Sequence, residues 1–222
     1  MKTIDFIRTF ADGLMARGDN DNGTKVSIPL VDVMGSVVMP TGAFPGYYLI
    51  LGKRLQINQY RKRPLIYLAE GEYTTISVLL EKLTDDIKRL KCRTLYAKHD
   101  RTNQGASGFF RDVYTYLQRK RLTVSVTQAP SWNDYEYGRA LLVEAWKDKA
   151  IELPKYVDTV VKKQLGEMRV DTDLSEDELY AFHAMRYILA AVEKYELDIH
   201  PIFAKKDHKQ TAQLKWAAFG AV

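Results

Sequence analysis

The order in which the hydrophobic pattern changes along the chain limits the folds that the protein can adopt. Three β-rich runs come first, over residues 26–33, 47–55 and 64–69, and no helical pattern separates them. From residue 74 onward, apolar residues recur at helical spacing, and short β-rich runs interrupt the helices. The predicted elements of this second part are helices over 74–91 and 106–119, strands over 93–98 and 122–127, and further helices over 134–149, 155–168 and 175–195.

This order of elements predicts a mixed β-sheet. Strands that follow one another without a helix pair most simply as antiparallel neighbours, whereas strands reached through a helix join in parallel by right-handed crossovers. The first three strands and the two later ones therefore form a five-stranded mixed sheet flanked by helices. That α/β architecture is the ribonuclease H-like fold, and other α/β folds accommodate the same order.

The N-terminal residues are predicted to lie outside this sheet. Apolar residues in 3–17 have helical spacing, and the Gly-, Asp- and Asn-rich residues 18–23 break the pattern. We therefore predict an N-terminal helix and linker over 1–25, the ribonuclease H-like domain over 26–195, and a C-terminal tail over 196–222.

Composition and missing motifs exclude several classes of protein. Hydrophobic residues make up 46% and charged residues 27% of the 222 residues, as in soluble globular proteins. The single cysteine, Cys92, excludes a disulfide framework and a four-thiolate metal site. No apolar run is long enough to span a bilayer and no secretory signal is recognisable, so we expect a cytosolic protein. The P-loop, nucleophile-elbow and zincin motifs are absent from the sequence.

Carboxylates near predicted strand ends are the strongest candidates for chemistry. Asp32 lies among apolar residues near the end of the first predicted strand, and Asp100 directly follows the fourth. A third acidic group, which includes Glu176 and Asp177, lies at the start of the last predicted helix. Three converging sources of carboxylate oxygens would bind two Mg²⁺ or Mn²⁺ ions, as enzymes that cleave phosphodiesters do. The alternatives are a solvated acid at Asp32 or Asp100 and complementation of the helix dipole at residues 171–178.

Short segments of the chain resemble the nuclease domain of tailed-phage terminase large subunits. The segment Lys149-Ala-Ile-Glu-Leu-Pro-Lys155 precedes a helix, and a later acidic helix carries Ala184-Met-Arg-Tyr187. Residues 98–105 resemble the family's acid-plus-glycine turn after the fourth strand. The resemblance covers about residues 26–195. It implies a ribonuclease H-like fold and metal-dependent, largely sequence-independent cleavage of packaged DNA.

The resemblance also implies a set of site residues. Asp100 matches the family's acid after the fourth strand, and Asp32 corresponds to the acid of the first strand. At the spacing where the family has aspartates before Arg-Tyr, this chain has Leu179, Tyr180 and His183. The predicted catalytic and metal-binding residues are therefore Asp32, Asp100 and Asp177, with Glu176 as a further metal ligand.

A net charge of +5 permits double-stranded DNA as a partner. The cations predicted to hold its backbone are Arg61, Lys62, Arg63, Lys98 and Arg101. A packaging ATPase or portal is a further predicted partner, and a phage-encoded protein would act in the bacterial cytoplasm. Two alternative hypotheses are a non-catalytic assembly module with the same fold and an enzyme that binds a sugar or nucleotide phosphate through the Gly105–Gly108 turn.

Overall fold

The fold was analysed in a computed structural model that describes residues 3–10, 13–19, 24–41, 43–98, 104–129, 135–154, 157–167 and 179–198. Over these residues the chain forms eight strands and five helices. They are β1 (Thr3–Phe10), β2 (Gly13–Asp19), β3 (Lys25–Val38), β4 (Gly46–Arg54), β5 (Leu65–Tyr73), α1 (Ile76–Leu90), β6 (Thr94–Ala97), α2 (Gln104–Arg119), β7 (Ser125–Gln128), α3 (Tyr135–Lys147), β8 (Ile151–Glu152), α4 (Val160–Glu167) and α5 (Tyr180–Asp198).

The centre of the sheet has the predicted mixed topology. Strands β3, β4 and β5 form an antiparallel meander, and β6 and β7 join β3 in parallel, which gives the order β5–β4–β3–β6–β7. The five predicted strands and their pairing are confirmed. Among the described residues the sheet is larger than predicted, because the β1–β2 hairpin pairs with β3 and the two-residue β8 pairs with β5.

The predicted N-terminal helix is wrong. Residues 3–10 and 13–19 form an antiparallel hairpin, and β2 continues the sheet by pairing with β3. Ile7, Leu14 and Ala16 are buried in the same core as α1 and α2. Leu14 and Ala16 of β2 are buried, whereas Arg17 is exposed. This alternation has the period of two of a strand, and the prediction of a helix did not take it into account.

Strand β3 is longer than predicted. We predicted a strand over 26–33, but β3 continues through Gly35 and Ser36 to Val38. At Gly35 an added Cβ would lie 3.1 Å from Leu95 Cδ1 and 3.2 Å from the Leu49 carbonyl oxygen. The glycine therefore allows close packing between neighbouring strands and does not mark a turn.

Helices cover both faces of the sheet. On one face α1 and α2 pack against the sheet, and their apolar stripes join a core that includes Val33, Val37 and Ile50. On the other face α3, α4 and α5 pack around Met34, Leu49 and neighbouring residues. Helix α5 contacts β3, β4 and β6 and is the main cover of the second face. Within the described residues, no helix combines the length and apolarity needed to cross a bilayer.

Candidate functional site

One edge of β3 is shared by two different strands. Residues 25–30 of β3 pair with β2 in antiparallel orientation, and residues 34–37 pair with β6 in parallel orientation. The opposite edge pairs with β4 from Leu30 to Val38. Asp32 lies where β2 has ended and β6 has not yet begun, a position that we call the fork of the sheet.

A β-bulge places the Asp32 side chain on the α5 face of the sheet. The register between β3 and β4 shifts between Leu30 and Asp32, so β3 has one extra residue there. The extra residue changes which positions face each side. Before the bulge Ile28 and Leu30 face the core with α1 and α2, and after it Val33 and Val37 do so.

A cleft of about 360 Å³ opens at the fork on this face. Asp32 and Lys53 bring charge to its lining, and β6 and β7 contribute hydroxyl groups. Its lining residues are Val31, Asp32, Met34, Lys53, Thr94, Tyr96, Ser125, Thr127 and Val192. Ser125 and Thr127 lie 3.5 Å apart through their hydroxyl oxygens. The cleft therefore presents hydroxyl donors and acceptors together with one acid and one cation.

Burial raises the pKa of the Asp32 carboxyl above its ordinary value. Three groups oppose this effect: the Val33 backbone N–H, which donates to Asp32 Oδ1 at 2.8 Å, and the positive charges of Arg93 and Lys53. The half-buried carboxylate is thus stabilised by one backbone donor and by the charges of two cations.

Cys92 lies beside the fork and is buried. Its thiol donates to the Thr94 carbonyl oxygen at 3.3 Å. Burial, with a smaller contribution from the charge of Asp32, raises the pKa of the thiol to about 12. The thiolate is the nucleophilic form of cysteine, so a thiol with a raised pKa is not activated for attack. Cys92 therefore serves as a packing residue of the core.

The fork and the carboxyl end of β6 lie at different heights along the sheet. Asp32 comes two residues before the Met34–Thr94 pair, whereas Ala97, the last residue of β6, lies opposite Val37. At 3.3 Å per residue, the carboxyl end of β6 is about 17 Å further along β3 than Asp32. The prediction that Asp32 lies near the end of its strand is therefore wrong.

The other predicted acids fall outside the described residues. Asp100, Glu176 and Asp177 belong to segments that the structure does not describe, as does the cation Arg101. Their convergence with Asp32 stays a prediction. Among the described residues, no group of three histidine, cysteine or acidic side chains is arranged to hold a metal ion. Asp32 is the one acid among the described residues that line the cleft, so a two-metal site there would need further carboxylates from other segments.

The last residues of β3 and the first turns of α5 carry no carboxylate of their own. Ser36 is fully buried, and its hydroxyl donates to the Ala184 carbonyl oxygen at 2.7 Å. His183, where the resembled family has an aspartate, is 5% exposed and its ring packs against Phe182 and Tyr187. Residues 36–38 and 179–184 contain no acid.

The predicted DNA-binding cations lie at two ends of the sheet. Arg61, Lys62 and Arg63 are exposed in the loop between β4 and β5, at the end where β3 begins. Lys98 is exposed directly after β6, at the opposite end. The described members of the set therefore do not form one cluster.

The cleft also contains residues that sequence reasoning missed. Lys53 stands opposite Asp32 in the β3–β4 register, and Ser125 and Thr127 line the cleft from β7. The alternation of hydroxyl and apolar residues in Thr123-Val-Ser-Val-Thr127 was the available signal, because it gives one face of that strand a polar surface.

The meander β3–β5 followed by the parallel strands β6 and β7, with helices on both faces, defines a ribonuclease H-like fold. Sequence comparison finds no matching protein family and no similar curated protein. Among solved structures, the chain is similar to the nuclease domain of g2p, the large terminase of bacteriophage SPP1, with bound Mn. The TM-score is 0.51 at 16% identity, over 75% of this chain and 88% of that one.

The human cytomegalovirus terminase nuclease domain, soaked with Mn, gives a TM-score of 0.48 at 13% identity, over 79% of this chain and 87% of that one. The likeness to the SPP1 domain confirms the predicted fold class. It also confirms, at the level of the fold, the resemblance to terminase nuclease domains that the sequence motifs indicated.

Proposed function

We propose that this chain is a metal-dependent nuclease domain that cleaves double-stranded DNA during phage genome packaging, in the cytoplasm of the bacterial host. The observation that carries the proposal is the shared fold with the SPP1 terminase nuclease domain, over three quarters of the chain. The bound Mn of that structure supports Mg²⁺ or Mn²⁺ as the cofactor. Such ions activate water and stabilise the leaving oxygen in phosphodiester cleavage.

The proposed ligands are Asp100, Asp177 and Glu176, with Asp32 as the acid from the first strand of the domain. Asp100 follows Ala97, the last residue of β6, by three positions, and ligands bind in open α/β sheets beyond the carboxyl ends of parallel strands. The fork geometry sets a condition on Asp32. It can share a metal with Asp100 only if the segment after β6 returns along the sheet toward the fork.

Plasmid cleavage in Mg²⁺ or Mn²⁺ tests this proposal. We expect the wild-type chain to nick and linearise supercoiled DNA, and Asp100→Asn to lower the rate at least about 100-fold. Asp112→Asn, which removes an exposed acid from α2, is the matched control and should cleave like the wild type. Equal cleavage by the wild type and Asp100→Asn would remove Asp100 from the site.

Asp32→Asn tests whether Asp32 belongs to the metal site together with Asp100, Asp177 and Glu176. A loss of cleavage as large as that of Asp100→Asn, with an unchanged fold by circular dichroism, would support Asp32 as a ligand. Cleavage at the wild-type rate would remove Asp32 from the metal site and leave the other acids in place.

A second candidate is a non-catalytic module of the packaging machine that docks on a packaging ATPase or portal. It is supported by the junction of β3 and α5, where Ser36 and His183 are buried and where residues 36–38 and 179–184 include no acid. Calorimetric titration with Mn²⁺ distinguishes the candidates. The module should show neither metal binding nor cleavage, whereas the nuclease should bind Mn²⁺ and lose that binding when Asp100 and Asp177 are changed to Asn.

A further inference from the structure

The loop between β4 and β5, residues 55–64, presents three consecutive cations. Arg61, Lys62 and Arg63 are all exposed, and Tyr60 before them is 43% exposed. The backbone N–H of Arg54 donates to the Pro64 carbonyl oxygen at 2.9 Å and closes the base of the loop. The cations therefore project from a short loop on a rigid hairpin.

Asn58 organises the tip of this loop from within. Its side-chain Oδ1 accepts hydrogen bonds from the backbone N–H groups of Tyr60, at 2.9 Å, and Lys62, at 3.0 Å. Its backbone N–H donates to the Lys62 carbonyl oxygen at 2.8 Å, and its carbonyl oxygen accepts from the Arg61 N–H at 3.0 Å. One residue thus fixes the backbone that carries the cations.

The same side chain fastens the loop to the turn between α3 and β8. Asn58 Nδ2 donates to the carbonyl oxygens of Asp148, at 2.7 Å, and Lys149, at 3.0 Å. Arg61 and Lys149 both have left-handed backbones, with φ values of 58° and 49°. Non-glycine residues persist in that region when the surrounding structure holds them there, as the hydrogen bonds to Asn58 hold the backbone at Arg61.

Two cations of the loop line a groove beside α3. Lys62 and Arg63 line a groove of about 100 Å³ beside α3, whose lining also includes Glu144 and Asp148. Val192 of α5 lines this groove and also the cleft that contains Lys53. In this groove the two cations are matched by two acids, so the exposed cations of the loop itself carry the positive charge.

We propose that the loop of residues 55–64 is a preformed contact for the phosphate backbone of duplex DNA, and that Asn58 is its positioning residue. The inference rests on the proposed function and adds where the DNA is held and what holds it. Arginine and lysine beside phosphates give sequence-independent affinity, and a backbone fixed in advance lowers the ordering cost of binding.

Binding of a labelled duplex, measured by fluorescence anisotropy over a range of salt concentrations with EDTA present, tests the loop separately from cleavage. Changing Arg61, Lys62 and Arg63 together to Gln should weaken binding at least about 10-fold and reduce the slope of log K against log salt by about 2 to 3. The matched control changes the exposed Arg119, Lys120 and Arg121 to Gln, which removes the same charge at the end of α2. The control should keep the wild-type slope.

Asn58→Ala keeps every cation and tests positioning. We expect affinity to fall about 3- to 10-fold and the salt slope to decrease, because fewer phosphates are contacted at once. A thermal unfolding midpoint close to that of the wild type would show that the loop, and not the whole fold, has changed. A purely structural role for Asn58 would lower the midpoint and leave the salt slope unchanged, which would overturn its positioning role.

The remaining outcomes separate this inference from the proposed function. Equal losses in the loop variant and the α2 control would show general electrostatic attraction and overturn the loop as a site. Normal duplex binding by the loop variant would do the same and assign its cations to another partner, such as an acidic protein surface. A wild-type chain that binds no duplex at low salt would instead remove the DNA substrate from the proposed function.

Discussion

Ser36 on β3 and Ala184 on α5 are joined by a buried hydrogen bond of 2.7 Å from the serine hydroxyl to the helix carbonyl oxygen. The bond crosses the interface between the central strand and the helix that covers its second face. It fixes the position of α5 along β3 at the end of the sheet where β6 also ends. This contact predicts a measurable effect on stability.

Ser36→Ala should lower the free energy of unfolding by about 1 kcal/mol, because a buried hydrogen bond is lost. Ser77→Ala, which removes an exposed hydroxyl from the first turn of α1, is the control and should change stability by less than about 0.5 kcal/mol. Urea unfolding followed by circular dichroism measures both. Equal stability of Ser36→Ala and the wild type would contradict a stabilising role for the bond.

Glu70 should contribute more to stability than its neighbour Glu72. Its carboxylate accepts hydrogen bonds from the backbone N–H groups of Val160, at 2.6 Å, and Val161, at 3.3 Å, and from the buried Tyr47 hydroxyl. Glu70→Ala would leave the first turn of α4 and the tyrosine hydroxyl without this acceptor. We expect a loss of about 2 to 3 kcal/mol in the free energy of unfolding.

Glu72→Ala is the matched control, since Glu72 lies on the same strand and accepts one exposed hydrogen bond, from the Tyr180 hydroxyl at 2.9 Å. Glu72→Ala should lower the free energy of unfolding by less than about 1 kcal/mol. Urea unfolding of the two variants side by side gives the comparison. Similar losses in both would refute capping of α4 by Glu70.

Asp32 should make the stability of the protein depend on pH. Because burial raises the pKa of its carboxyl in the folded state, the folded chain binds this proton more tightly than the unfolded chain does. This contribution to stability is present below the unfolded pKa and is lost as pH rises through the folded pKa. The stability of Asp32→Asn relative to the wild type should therefore increase as pH rises above about 4, the ordinary pKa of the carboxyl.

Urea unfolding at several pH values measures this difference, and Asp112→Asn on the exposed face of α2 provides the reference. A relative stability of Asp32→Asn that decreases with rising pH would mean that attraction to Lys53 and Arg93 outweighs burial.

Cys92 should resist thiol reagents in the folded protein. It is the only cysteine of the sequence and is buried, and its thiol pKa is raised to about 12, so very little thiolate forms near neutral pH. We expect one thiol per chain to react with Ellman's reagent in denaturant and almost none without it. Rapid stoichiometric labelling of the native chain would contradict the burial of Cys92.

The central elements of the fold could be predicted because each has a strong local pattern. The helix predicted over 74–91 is observed at Ile76–Leu90, and its buried residues Leu79, Leu83 and Ile87 recur at the expected spacing. The strand predicted over 47–55 is observed at Gly46–Arg54. Strand pairing followed from whether a helix lay between consecutive strands.

The N-terminal hairpin was missed because its apolar residues fit two periods. Ile4, Ile7 and Leu14 have helical spacing if the chain is continuous, but Asp12-Gly13 is a typical hairpin dipeptide and interrupts it. More weight on that dipeptide would have favoured two strands. The spacing of apolar residues alone does not decide between the two structures over so short a segment.

The candidate site was harder to predict because it depends on register. The sequence singled out Asp32 as an acid among apolar neighbours, but the bulge beside it and the length of β3 determine which residues it faces. Lys53 and Thr127 reach the same cleft from distant parts of the chain. No local pattern in the sequence specifies which strand pairs with residues 34–37 of β3.

The division of β3 between two partners has a mechanical consequence. The β1–β2 hairpin and the β6–β7 pair attach to successive lengths of one strand, so each can detach without breaking a backbone hydrogen bond of the other. Amide protons of the β1–β2 hairpin and of the β6–β7 pair would then exchange with solvent through separate openings, while β3 and β4 stay paired. Force applied to the hairpin would peel it residue by residue and leave the parallel half of the sheet intact.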